Sequence, residues 1–147
     1  MYTADQLERR NASALTRAMM IIGGIQLIVL VLCFYLTIRF LLSGAGWSGA
    51  IITFWSNFAL LCVNTIIGVI WEKQFYNTYF LCPEFFWEDV GNAAALLAYA
   101  LYYIGIWLHW SQAGLAGCML FATAVYAINF AQWIYKRMLA KKIGAGR

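Results

Sequence analysis

Three long stretches without Asp, Glu, Lys or Arg constrain this chain more than any other feature. They cover residues 18–38, 40–71 and 90–135. A membrane-spanning helix needs about 20 apolar residues, so the first two runs hold one span each. The third run is long enough for two spans, with the turn at 111–114 between them. The predicted spans are about 18–42, 50–71, 86–110 and 114–135.

The same runs decide the fold class. None of them alternates apolar and polar residues as the strands of a membrane barrel do, and helices are the other way to satisfy backbone groups in lipid. Charged residues make up 11% of the chain, whereas a soluble domain carries roughly 25%. The sequence therefore predicts an all-α integral membrane protein, in which residues 1–147 form one four-helix transmembrane bundle within a lipid bilayer.

Basic residues are distributed unevenly between the predicted connections. Nine fall on one side of the membrane: Arg9, Arg10, Arg17, Lys73, Lys136, Arg137, Lys141, Lys142 and Arg147. Only Arg39 falls on the other side. Because Lys and Arg accumulate in cytoplasmic segments, we expect both termini and the 72–85 connection to be cytoplasmic. The basic tails are interpreted as orientation signals that also attract anionic lipid, rather than as a nucleic-acid site.

The 70–90 segment concentrates acidic residues among aromatic ones. It holds four of the six acids of the chain, Glu72, Glu84, Glu88 and Asp89. Its aromatic residues are Trp71, Phe75, Tyr76, Tyr79, Phe80, Phe85, Phe86 and Trp87. Pro83 suits the start of a helix, so three of the acids would lie in its first two turns.

Two interpretations of these carboxyls remain open. Acids near a helix start are stabilised by its dipole, which would make their role structural. Alternatively, carboxyls half-buried among aromatic rings retain their protons more readily and suit general acid catalysis. An aromatic cleft tipped with acids at a membrane surface would fit a large, flat, lipophilic substrate.

Polar residues inside the predicted spans allow two roles. Gln26, Asn57, Asn64, Asn129 and Gln132 either form hydrogen bonds between helices or line a pocket. The single histidine, His109, lies between tryptophans and is interpreted as an interfacial residue. The four cysteines form no C-x-x-C pair, so their spacing predicts neither a disulfide framework nor a zinc site. A small multidrug-type transporter would need a carboxylate in mid-membrane, and every acid here lies at an edge.

Four blocks of the sequence resemble the 3-vinyl bacteriochlorophyllide hydratases. The blocks are residues 2–12, 70–73, 85–90 and 126–132, and they follow the order and spacing of that family over nearly the whole chain. The resemblance implies addition of water to the C3-vinyl group of a magnesium tetrapyrrole, giving a 3-(1-hydroxyethyl) group, in bacteriochlorophyll synthesis. It also implies a bacterial inner membrane, cytoplasmic or photosynthetic. The asymmetry of the basic residues predicts an active site near the cytoplasmic face of that membrane.

The chemistry implied by the resemblance assigns roles to the residues already singled out. Glu88 is the expected general acid, and Asp89 or Glu72 the base or water-orienting partner. The expected substrate-binding residues are Trp71, Phe85, Phe86, Trp87, Asn129 and Gln132. No cofactor is needed for this reaction. The alternative is a non-catalytic tetrapyrrole carrier or assembly protein, and contacts with other pigment-biosynthesis enzymes or with a second copy of the chain stay open.

The charge asymmetry generates a topological prediction. Reporter fusions after Arg147 and within residues 74–82 should both report the cytoplasm, because the basic flanks are retained on that side. A reporter within residues 43–49 should report the opposite side. A carboxyl terminus found outside the cytoplasm would contradict the orientation.

Overall fold

The computed structural model describes residues 12–83 and 85–145, without the side chains of 137 and 139–145. This part of the chain folds into four helices: α1 Ala14–Ser43, α2 Trp47–Tyr76, α3 Phe86–Trp107 and α4 Gln112–Ala145. Each is long and apolar enough to cross a membrane, which confirms the predicted all-α class with four helices of membrane-spanning length. The predictions for Glu84, Arg9, Arg10 and Arg147, and for the side chains of Arg137, Lys141 and Lys142, lie outside the described residues.

The helices extend beyond the predicted spans at several ends. The apolar stretch sets how much of a helix fits the bilayer, but a helix continues until the backbone is broken. α2 runs past Glu72 as far as Tyr76 and ends where Asn77 adopts a positive φ of 57°. The α1–α2 turn uses two glycines in the left-handed region, Gly44 at φ 70° and Gly46 at φ 93°, where a side chain would be strained.

The bundle consists of two helical hairpins. α1 packs along α2 and α3 packs along α4, while the hairpins join mainly through α1 and α4. The α2–α3 contact is much smaller. A cleft between the hairpins is the consequence, and it opens where α2 ends and α3 begins.

Aromatic rings and polar side chains fill the centre of the bundle. The ring of Phe54 stacks on Tyr99 at 4.7 Å between centroids. Asn57 Nδ2 donates a hydrogen bond of 3.0 Å to the Tyr99 hydroxyl, and Gln26 Nε2 donates one of 3.5 Å to the Asn57 carbonyl oxygen. Of the two roles left open for the intramembrane amides, hydrogen bonding between helices is the one that Gln26 and Asn57 have.

Replacement of Tyr99 by Phe tests this central hydrogen bond. The change removes the acceptor of the buried Asn57 amide, and a buried donor without a partner costs about 1–3 kcal/mol. We expect Tyr99→Phe to lower the free energy of unfolding in detergent by that amount, measured by circular dichroism. Tyr103→Phe on the same helix is the control, because Tyr103 is 55% exposed. Equal stability of the two variants would mean that the bond contributes nothing.

Candidate active site

The cleft encloses about 1040 Å³, counting the open space at its mouth, and all four helices line it. Three helical faces supply most of its polar groups: Asn64, Thr65 and Glu72 from α2; Glu88, Asp89 and Asn92 from α3; Asn129 and Lys136 from α4. Side chains three, four and seven residues apart lie on one face of a helix, so these spacings place the groups together.

A buried pair of carboxyls lies at the wide end of this cleft. Glu72 is 5% exposed and Asp89 is 4% exposed, and their side chains are within hydrogen-bonding reach of each other. Glu72 Oε2 receives no hydrogen from any described group. Two carboxylates in one site repel each other, so such pairs commonly share one proton. A proton between these two side chains would provide the missing bond.

The connection between α2 and α3 folds over the carboxyl pair. Leu81 N–H donates a hydrogen bond of 2.7 Å to Asp89 Oδ2, and the backbone N–H of Cys82 donates to Glu72. Leu81 adopts a positive φ of 56°, which costs about 1–3 kcal/mol for a residue other than glycine. The two carboxyls therefore hold this connection in a conformation that it would not favour alone.

The third carboxyl of the cleft has a different environment. Lys136 Nζ lies 2.8 Å from Glu88 Oε1 and 3.1 Å from Glu88 Oε2, so Glu88 is a carboxylate in an ion pair. The same ammonium lies 4.2 Å from the centroid of the Phe85 ring, a cation–π distance. The Glu88–Lys136 ion pair links the start of α3 to the end of the membrane span of α4.

Aromatic side chains form one wall beside these carboxyls. Trp71 is 6% exposed, and its indole Nε1 donates a hydrogen bond of 2.9 Å to Thr16 Oγ1 of α1. Phe85 meets the Trp71 ring edge to face at 5.3 Å between centroids. The wall is therefore fixed by contacts from α1, α2 and the start of α3.

The predicted site residues fall into two groups. The cleft brings together Trp71, Glu72, Phe85, Glu88, Asp89 and Asn129. Phe86, Trp87 and Gln132 do not line it; Phe86 is 42% exposed, Trp87 is 70% exposed, and Gln132 is also exposed. Any contact between these three residues and a substrate stays a prediction.

Sequence reasoning missed several residues of the cleft. Lys136 was interpreted only as an orientation signal, and Thr16, Tyr126 and Trp133 were given no role. A signal existed on α4, where Tyr126, Asn129, Trp133 and Lys136 recur every three or four residues. This spacing places them on one helical face.

Two side-chain amides connect α3 and α4 by a hydrogen bond, one helical turn after Glu88 along α3. Asn129 Nδ2 donates a hydrogen bond of 2.6 Å to Asn92 Oδ1. The Asn129 side chain fits there because Gly91 has no Cβ, which would meet Asn129 Cγ at 2.7 Å. Asn129 thus has both roles left open by the sequence, since it hydrogen-bonds between helices and lines the cleft.

A four-helix membrane domain with a carboxyl-lined aromatic cleft at one end has the features of a membrane-embedded enzyme for an apolar substrate. The family model described as 2-vinyl bacteriochlorophyllide hydratase (BCHF) matches residues 2–139, and the chain belongs to that family. Its enzyme class is accordingly that of the hydro-lyases. The names 2-vinyl and 3-vinyl differ only in wording.

Two relatives with the name 2-vinyl bacteriochlorophyllide hydratase are similar over most of their length. The one from Cereibacter sphaeroides is 31% identical over 144 residues, which cover 96% of this chain and 88% of the relative. The one from Rhodobacter capsulatus is 29% identical over 141 residues, covering 96% and 82%. No solved structure gives a significant match.

The gap at Gly91 generates a prediction for the site. A methyl group there would push Asn129 away from Asn92, and overpacking of this kind typically costs about 1–3 kcal/mol. We expect Gly91→Ala to lower the thermal midpoint in detergent and to weaken pigment binding. Gly24→Ala is the control, because a Cβ at Gly24 meets no atom within 4 Å. A Gly91→Ala protein as stable as the Gly24→Ala protein would contradict the packing argument.

Proposed function

We propose that the chain adds water to the vinyl group of a vinyl bacteriochlorophyllide, giving a 1-hydroxyethyl product, and that the cleft is the active site. The observation that carries the proposal is the set of three carboxyls in two environments at one end of the cleft. Glu72 and Asp89 form a buried pair, whereas Glu88 is ion-paired with Lys136. Hydration needs both a proton donor and a proton acceptor, and these environments suit the two tasks.

The first step assigned to the site is protonation of the vinyl group. The proton shared by Glu72 and Asp89 is transferred to the terminal vinyl carbon, and the pair gains a second negative charge that balances the cation formed on the substrate. The carbon next to the macrocycle becomes cationic, and the π system of the macrocycle delocalises this charge. The pair is suited to this step because hydrogen bonds from Leu81 and Cys82 stabilise its anionic form.

The second step is attack of water on the cationic carbon. Glu88 accepts a proton from this water, and the oxygen forms the new bond to carbon. Asn92 follows Glu88 by four residues on the same helical face, and its amide orientation is fixed by Asn129, so it is suited to position the water. Return of the proton from Glu88 to the Glu72–Asp89 pair completes the cycle.

This assignment exchanges two roles relative to the sequence-based expectation, in which Glu88 was the acid. The reason for the exchange is the ion pair of Glu88 with Lys136 at 2.8 Å, since a carboxylate in an ion pair suits the role of proton acceptor. The three carboxyls of the proposal are unchanged. The aromatic wall is suited to an apolar macrocycle, and we propose that the pigment enters the cleft from lipid. We place the cleft near the cytoplasmic face of a bacterial inner membrane because of the basic flanks.

Amide variants of the carboxyls test the roles. Loss of a general acid or base typically lowers turnover 10²–10⁴-fold, or ~3–5 kcal/mol in activation free energy. We expect Glu72→Gln and Glu88→Gln each to hydrate the pigment at least about a hundredfold more slowly, with pigment binding nearly unchanged. Asp89→Asn should lose a similar factor. Turnover and binding would be measured for all variants in one detergent, with Glu84→Gln as the control carboxyl-to-amide change.

The pH dependence of the residual rate separates acid from base. Activity that needs a protonated acid falls at high pH, and activity that needs a deprotonated base falls at low pH. Glu72→Gln should therefore lose the fall at high pH, and Glu88→Gln the fall at low pH. The opposite pattern would return the acid role to Glu88. Binding without any hydration by the unmodified protein would instead indicate a pigment carrier.

A further inference from the structure

The deep part of the cleft contains buried oxygen atoms that the hydration steps do not use. Asn64 Oδ1 and Thr65 Oγ1 are buried and have no hydrogen-bond partner among the described residues, and both residues line the cleft. A buried polar atom without a partner costs free energy. Adjacent residues of one helix that both leave an oxygen unsatisfied, on the wall of a cavity, indicate a ligand that supplies the missing contact.

The chemical types of these two atoms restrict the kind of ligand that they can bind. They are a neutral amide oxygen and a hydroxyl oxygen, which are hard donors of the type that Mg²⁺ prefers. Among the described residues, the cleft wall includes no histidine or cysteine. Glu88 binds Lys136 and Asp89 binds Leu81. Two other oxygens of the cleft also lack a partner among the described residues: Glu72 Oε2, which belongs to the acid pair, and Asn129 Oδ1, which lies beside Gly91.

The position of these atoms matches the shape of the substrate. A bacteriochlorophyllide is a magnesium complex whose metal lies at the centre of the macrocycle, while the vinyl group projects from its rim. Asn64 precedes Glu72 by eight residues, which is about 12 Å along the helix axis. A pigment whose vinyl group contacts the Glu72–Asp89 pair therefore extends down the cleft toward Asn64, with its metal on the Asn64 side of the carboxyls.

We propose that Asn64 and Thr65 form the axial binding site for the magnesium of the substrate, with the Asn64 amide oxygen facing the metal. This proposal rests on the proposed function for the substrate class. Axial contact at the centre of the ring fixes the position of the macrocycle in the cleft. It thereby fixes which rim substituent reaches the carboxyl pair, so Asn64 and Thr65 are positioning residues and not catalytic ones.

A binding cycle tests the site without relying on turnover. The affinities of a magnesium vinyl pigment and of its metal-free form are measured by fluorescence quenching for the unmodified protein and for Asn64→Leu and Thr65→Val. The unmodified protein should bind the magnesium form at least tenfold more tightly. Asn64→Leu should reduce that preference at least fivefold while binding the metal-free pigment as before, and Thr65→Val should reduce it less.

Thr53→Val is the matched control. Thr53 lies on the same helix, and its hydroxyl donates to the Gly49 carbonyl oxygen at 2.9 Å, away from the cleft. The control should keep the full metal preference and the absorption spectrum of the bound magnesium pigment, whereas Asn64→Leu should shift that spectrum through loss of the axial contact.

The possible outcomes test the axial site and the proposed hydratase function independently of each other. No metal preference in the unmodified protein, or an unchanged preference in Asn64→Leu, overturns the axial site even if hydration proceeds. A metal preference that depends on Asn64 supports the site. Absence of hydration alongside that preference overturns the hydratase assignment and leaves the axial site standing.

Discussion

The contact between Glu72 and Asp89 is the interaction on which this end of the molecule depends. One carboxyl comes from each hairpin, and both are almost completely buried in a protein with only six acidic residues. A buried carboxyl is tolerated only with hydrogen bonds or a neutralising partner, and the Leu81 and Cys82 amides supply part of that requirement. The pair therefore fixes the α2–α3 connection, which closes one side of the cleft.

The helices could be predicted from the sequence because lipid leaves so few alternatives. Runs free of charged residues have one stable backbone conformation in a bilayer apart from the closed barrel, so helix number and approximate position followed directly. The ends were less accurate at Tyr76 and Ala145, because polar residues continue a helix as readily outside the bilayer as inside. The carboxyl-rich, aromatic character of the site was likewise visible from residues 70–90.

The residues that line the cleft could be predicted only in part. In a soluble protein an apolar stripe identifies the buried face of a helix, but in lipid the outer face is apolar as well. Phe85 and Phe86 are adjacent and chemically identical, yet only Phe85 lines the cleft, and no periodicity separates them. Lys136 was not predicted to line the cleft, because basic residues are expected at a membrane edge whether or not they have a specific partner.

The location that we propose for the site, at the edge of the membrane, would meet three demands of a hydration reaction on a lipophilic pigment: apolar walls, water and protons. The macrocycle needs apolar walls, such as those that Trp71 and Phe85 provide, whereas water and protons come from the aqueous side. A carboxyl in mid-membrane would have no route for proton replacement. A carboxyl in full contact with water would compete with bulk solvent for every hydrogen bond. The Glu72–Asp89 pair avoids both limits, because the α2–α3 connection covers it while the neighbouring Lys136, 34% exposed in its side chain, still reaches solvent.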